Sequence, residues 1–261
     1  GSHGIAGSLG VASVPLLSAW IGTLFGWRTP HVVFGLLGLA VGLFSMTLPR
    51  YPAAAPPPEN RTQTPDAAGS RLSYVNLTIF FLSATALGLT YKGIMTFLPT
   101  YMGLKVQIRL WDLDAVAIGG TIATVTLLSG AVGQFLAGRL ADRIRPEKIY
   151  LGAVLLGTVF VFIMAAASNL LLVLSAVCYA FFYFATQPIQ NYLVSKYLPL
   201  HRHGLGYGIL FILTFGVGST AAAVSGYLAD RFGLEVVFYA MGGCFLVSAA
   251  MVLTLVLRGE R

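Results

Sequence analysis

Apolar residues run through this chain in long blocks rather than in alternation. Eight blocks, at 3–25, 30–48, 73–101, 115–138, 147–167, 169–195, 204–229 and 234–257, are apolar enough to cross a bilayer as single helices, which takes about 20 residues. They lack the strict apolar–polar alternation of a membrane barrel strand. A helix also satisfies its backbone polar groups within its own segment, as hydrocarbon surroundings demand. The pattern predicts an all-α polytopic membrane protein with eight transmembrane helices.

One interval breaks the pattern. Residues 49–71 hold six of the twelve prolines, Pro56-Pro57-Pro58 among them, with Glu59, Asn60, Arg61, Gln63, Asp66 and Ser70. Such a segment has no apolar face to bury and predicts an extended linker. The chain therefore divides into two helices in residues 1–48, a linker at 49–71, and six helices in residues 72–261.

Composition narrows the function classes. Hydrophobic residues make up 57% of the 261 and charged residues 10%, against about 25% charged in a soluble domain. Too few polar residues are present to clothe a soluble core, which excludes an ordinary soluble enzyme and a nucleic-acid-binding domain. The net charge of +7 then reports basic loops rather than an acidic partner. Alternating the loops puts eleven lysines and arginines on one side and four on the other, with Lys92 left inside a helix. The positive-inside rule assigns the richer side, with the linker and the C-terminus, to the cytoplasm. Cys178 and Cys244 both lie in apolar runs, so neither a disulfide framework nor a metal site is expected. No cofactor is expected either. The chain opens Gly1-Ser2-His3 and enters a helix at once, the expectation for a portion of a longer protein.

Polar residues inside the blocks carry the candidate chemistry. Tyr179, Tyr183, Gln187, Gln190 and Asn191 are spaced to share one face of the sixth helix. A polar stripe in a membrane helix faces protein or a water-filled cavity, and Pro188 predicts a kink beside it. Lys92 costs about 2.5–3.5 kcal/mol at the bilayer centre; it either snorkels to the outer surface or binds an anionic group. Between the fourth and fifth helices stands Gly138-Arg139-Leu140-Ala141-Asp142-Arg143-Ile144-Arg145-Pro146. It reads as a basic turn, or as a latch in which the Asp142 carboxylate meets arginine or a helix N-terminus. A similar string from Gly226 to Gly233 reads as a turn on the other side. The nine acidic residues all fall in loops or at helix ends, and neither His-Glu-x-x-His nor Gly-x-Ser-x-Gly occurs. No enzymatic chemistry is legible.

The string at Gly138, Asp142, Arg143 and Arg145 resembles the loop signature of the major facilitator superfamily of secondary transporters. Gly26-Trp27-Arg28 resembles the turn between that family's fifth and sixth helices. Tyr91-Lys92-Gly93 with Phe97-Leu98-Pro99 resembles the outer part of its seventh. The resemblance implies a fold of twelve helices in two halves joined by a long cytoplasmic linker, of which these eight correspond to the fifth through the twelfth. It implies a substrate cavity lined by Tyr91, Lys92, Thr96, Tyr179, Tyr183, Gln187, Gln190 and Asn191. It implies a cytoplasmic gating loop at Gly138, Asp142, Arg143 and Arg145, with Asp142 near residues 2–7. The implied activity is alternating-access transport of a small organic solute across a membrane; Lys92 without a carboxylate inside these helices points to an anionic or neutral solute, and the lack of usable glycosylation sequons and disulfides fits a prokaryotic inner membrane. The partners are that solute, the lipid bilayer and a coupling ion, with no nucleic acid, and this portion is expected to be inactive alone. A non-transporting membrane scaffold or assembly subunit, or an inactive truncated product, stays open as the alternative.

Overall fold

A computed structural model describes residues 2–47, 67–107 and 115–259. Helix dominates these residues, and no strand occurs among them. In chain order they form α1 (Ser2–Phe25), α2 (Thr29–Thr47), α3 (Ala67–Lys105), α4 (Ala115–Leu140), α5 (Pro146–Ala166) and α6 (Asn169–Tyr197). These are followed by α7 (His203–Phe211), a π-helical segment (Ile212–Val217), α8 (Gly218–Phe232) and α9 (Leu234–Arg258). The expected blocks match these elements within a few residues, except that α3 begins at Ala67, six positions before the expected start. The expected linker otherwise lies outside the described residues.

Glycine and proline set the ends. Gly26 has φ 91° and Gly233 has φ 93°, a backbone region that L side chains rarely enter. Each donates its N–H back into the helix it closes, Gly26 to the Gly22 carbonyl at 2.9 Å and Gly233 to the Ala229 carbonyl at 3.0 Å. Pro146 opens α5, where its missing N–H would have no helical partner anyway.

The helices pack around α3, which meets α9, α8 and α4, while α6 is clasped between α4 and α5. Phe80, Leu87, Ile94, Tyr101, Tyr150, Tyr179, Phe238 and Phe245 are fully buried in this core. α1 lies along α4, and α2 packs chiefly against α1. A side chain at Gly120 would come within 2.8 Å of the Pro15 carbonyl oxygen, so its bare Cα is what lets α1 and α4 touch. At that crossing the Leu16 N–H donates to Thr124 Oγ1 at 3.0 Å.

Large apolar side chains also cover the outer surface: Leu36, Val41, Phe44, Val132, Leu156, Leu171 and Leu246 are exposed. A helix that is apolar on all faces belongs in a large core or a bilayer. Seven described helical spans are long and apolar enough to cross a membrane, and the chain is a multi-pass integral membrane protein. Most of the described cations gather at one end, where Arg139, Arg143, Arg145, Lys148, Lys196, Arg202 and Arg258 all lie near helix termini. We call this the basic end. At the opposite end Lys105 pairs with Glu235 at 2.5 Å, joining the end of α3 to the start of α9.

Candidate substrate cavity

The polar face of α6 opens onto a cavity of about 90 Å³ between α3, α6 and the α7–π junction. Tyr91, Tyr183, Gln187, Gln190 and Asn191 line it, together with Leu210, Phe211, Thr214 and Phe215. Five of the eight expected cavity residues therefore meet at one place.

Its aromatic wall is ordered by stacking. The Tyr91 and Tyr183 rings lie 4.7 Å apart and 10° from parallel. Phe184 meets the Tyr91 ring edge-on at 5.7 Å. Offset stacks and edge contacts are the favoured arrangements of ring quadrupoles. Its polar wall is held from behind. Gln134 of α4 donates through Nε2 to Gln187 Oε1 at 2.5 Å. Gln190 donates through Nε2 to Tyr150 Oη at 3.1 Å. Tyr150 Oη also lies 3.2 Å from Ser83 Oγ, and Ser248 Oγ donates to the Ser83 carbonyl at 3.1 Å. A chain of hydrogen bonds thus runs from the cavity through α5 and α3 to α9. With those bonds made, Gln187 offers a ligand amide N–H and Gln190 offers its carbonyl oxygen.

Three expected residues stand apart from the lining. Lys92 is half-buried beside the cavity, its Nζ 5.2 Å from the Phe215 ring centroid and 6.0 Å from that of Tyr91. That spacing is the geometry of a cation held over aromatic faces. Thr96 is exposed, and its hydroxyl donates to the Lys92 carbonyl one turn back at 2.7 Å. Tyr179 is fully buried behind Tyr183, its ring 6.0 Å from Phe245, and its hydroxyl has no hydrogen-bond partner among the described residues.

The residues that α7 and the π-segment bring in have a backbone cause. A Cβ on Gly88 would lie 2.5 Å from the Thr214 carbonyl oxygen, and one on Gly218 would lie 2.9 Å from the Gly88 carbonyl carbon. The two glycines let α3 and the π-segment cross in backbone contact. The wider π turn, which is often found at functional sites, then presents Thr214 and Phe215 toward Tyr91.

At the basic end, residues 141–145 form a tight turn: the Arg143 N–H donates to the Leu140 carbonyl at 3.0 Å. Asp142 and Arg143 are exposed, and Gly138 faces open space. The Asp142 carboxylate pairs with no described side chain, and the side chains of residues 2–6, its expected neighbours, lie outside the described residues. Arg145 donates through Nη2 to the Gly259 carbonyl at 2.7 Å, capping the C-terminal end of α9, where the helix dipole favours a cation. The carboxylate that the helices enclose is Glu147, in the first turn of α5 and 3% exposed. Its Oε1 accepts from Lys196 Nζ at 2.5 Å and from Tyr197 Oη at 3.0 Å, while Oε2 is buried without a hydrogen-bond partner.

Comparison with known proteins agrees with this architecture. The sequence model of the Major Facilitator Superfamily matches residues 111–261, more than half of the chain. The multidrug resistance protein MdtG of Klebsiella pneumoniae (strain 342) is 29% identical over 185 residues, covering 68% of this chain and 43% of that protein. MdtG of Serratia proteamaculans (strain 568) is 32% identical over 190 residues, covering 69% and 43%. Among solved structures, the E. coli fucose:proton symporter FucP aligns with a TM-score of 0.62 at 17% identity, over 88% of this chain and 55% of that one. The nucleoside transporter NupG aligns with a TM-score of 0.69 at 16% identity, over 92% and 64%. The chain spans less than half the length of the MdtG relatives it matches. The chain belongs to the Major Facilitator Superfamily.

Proposed function

We propose that this chain supplies one wall of the solute cavity of a secondary transporter working by alternating access. The observation that carries this reading is the convergence of the Tyr91–Tyr183 stack with two carboxamides, each anchored from behind by a neighbouring helix. Groups held this way are pre-organised, so little ordering entropy is lost when a solute binds. The relatives support small organic cargo by their names, which speak of multidrug resistance, fucose and nucleosides.

The cavity's chemistry favours an uncharged or anionic solute with a flat ring. Aromatic faces offer stacking, Gln187 and Gln190 offer one donor and one acceptor, and Lys92 supplies positive charge nearby. No carboxylate is among the lining residues, so a cation would find no charged partner on this wall. The positive-inside rule favours the basic end as cytoplasmic, in a bacterial inner membrane. On that side the turn around Gly138, Asp142, Arg143 and Arg145 would act as the gating loop. Residues 49–71 would join the two-helix and six-helix parts.

Thermal-shift measurement on purified residues 1–261 with neutral, anionic and cationic aromatic solutes tests the reading. A solute at a hundred times its Kd stabilises by about 2.7 kcal/mol. Neutral or anionic members should raise Tm. A response confined to cations contradicts the proposal.

A further inference from the structure

A second cavity, of about 570 Å³, lies on the outer side of the bundle between α4, α5 and α6. Its floor is built from small residues. Gly133 brings α4 against α6, since a Cβ there would lie 2.1 Å from the Phe181 carbonyl oxygen. Gly152 on α5 has nothing within 4 Å of the place its Cβ would take. The rims are bulky and exposed, among them Leu136, Leu140, Ile144 and Leu156. The result is an apolar trough facing outward from a membrane bundle.

The trough has a charged mouth. Lys148, two positions into α5 from Pro146, is part of its lining at the basic end. An adjoining hollow shares Leu136 and Leu140 with the trough and is lined by Arg139, Arg143 and Asp142. In that hollow the two guanidinium groups against one carboxylate leave the mouth positive. From Lys148 to Leu156 the trough follows α5 for eight residues, about 12 Å at 1.5 Å per residue. One leaflet of hydrocarbon is about 15 Å deep, half the usual core thickness.

We infer that this trough is a binding site for an anionic phospholipid, with one acyl chain lying along Gly133 and Gly152 and the phosphate at Arg139 and Arg143. The depth fits the chain and the mouth fits the charge. A zwitterionic lipid of the same chain length would fill the trough with less attraction at its mouth, because each Lys or Arg near an anionic headgroup contributes about 1 kcal/mol, or about fivefold in affinity.

Native mass spectrometry of residues 1–261 in neutral detergent tests this, with phosphatidylglycerol and phosphatidylcholine of identical chains added in equal amounts. Retained phosphatidylglycerol should exceed phosphatidylcholine by about fivefold or more. Arg139→Gln combined with Arg143→Gln should bring the two near equality. Gly152→Phe, which fills the trough, should lower retention of both lipids, whereas Gly152→Ala should keep it. Equal retention by the unaltered chain, or undiminished phosphatidylglycerol on a folded Gly152→Phe variant, overturns the inference. If Gly152→Phe fails to fold, Leu156→Trp serves instead: brominated phosphatidylglycerol should quench its fluorescence more than brominated phosphatidylcholine, and equal quenching overturns the site.

Discussion

Tyr91 of α3 and Tyr183 of α6 stack with ring centroids 4.7 Å apart and planes 10° from parallel, and the pair forms one wall of the cavity. The stack predicts a measurable coupling. In a double-mutant cycle, Tyr91→Leu and Tyr183→Leu should show about 0.5–1.5 kcal/mol of interaction in thermal unfolding. Tyr183→Ala, which empties a buried ring site, should cost about 3–5 kcal/mol. Tyr183→Phe keeps the ring and should cost far less. Additive single effects in the cycle would mean that the rings are neighbours without being partners.

Gly88 and Gly152 make a contrasting pair. A Cβ at Gly88 would strike the Thr214 carbonyl at 2.5 Å, whereas one at Gly152 meets nothing within 4 Å. Gly88→Ala should therefore push α3 from the π-segment and destabilise by about 1–3 kcal/mol. Gly152→Ala should be neutral or stabilise by about 0.5–1 kcal/mol, the ordinary gain for alanine in a helix. Tm values for the two variants decide the matter, and equal shifts would contradict the crossing.

Glu147 should depend on its cation. Lys196→Met leaves the buried carboxylate with Tyr197 but without its ammonium partner. The loss should be about 1.5–3 kcal/mol, the range for hydrogen bonds to charged groups. Adding Glu147→Gln removes the stranded charge, so the double variant should be more stable than Lys196→Met alone. A double variant that melts lower than the single one would show that the pair does not lock α5 to α6.

How far the sequence reveals this arrangement depends on the range of each interaction. Apolar block length and proline and glycine punctuation are local, and they mark the helices to within a few residues. The polar face of α6 is local too, since Tyr183, Gln187, Gln190 and Asn191 follow helical spacing. Tyr179 continues that spacing, but one turn further along Phe245 of α9 closes over it. Thr96 lies one turn from Lys92, gives its hydroxyl to the Lys92 carbonyl and stays outside the lining. The π-segment is hidden because it depends on Gly88 and Gly218 meeting across more than a hundred residues. Glu147 looks like one more helix-end carboxylate until Lys196 and Tyr197, about fifty positions on, enclose it. The similar ends of α1 and α8 are legible as Phe25-Gly26 and Phe232-Gly233, and both glycines take the same positive-φ conformation.

The most direct test of the cavity compares two substitutions on neighbouring helices. Gln187 lines the cavity with its carbonyl held by Gln134, whereas Thr96 lies outside the lining. With any solute that raises the Tm of the unaltered chain, Gln187→Ala should weaken apparent affinity about tenfold, the equivalent of one hydrogen bond worth about 1.4 kcal/mol. Thr96→Ala should leave affinity unchanged. Loss of binding in Thr96→Ala with retention in Gln187→Ala would contradict the account, because the solute would then sit elsewhere.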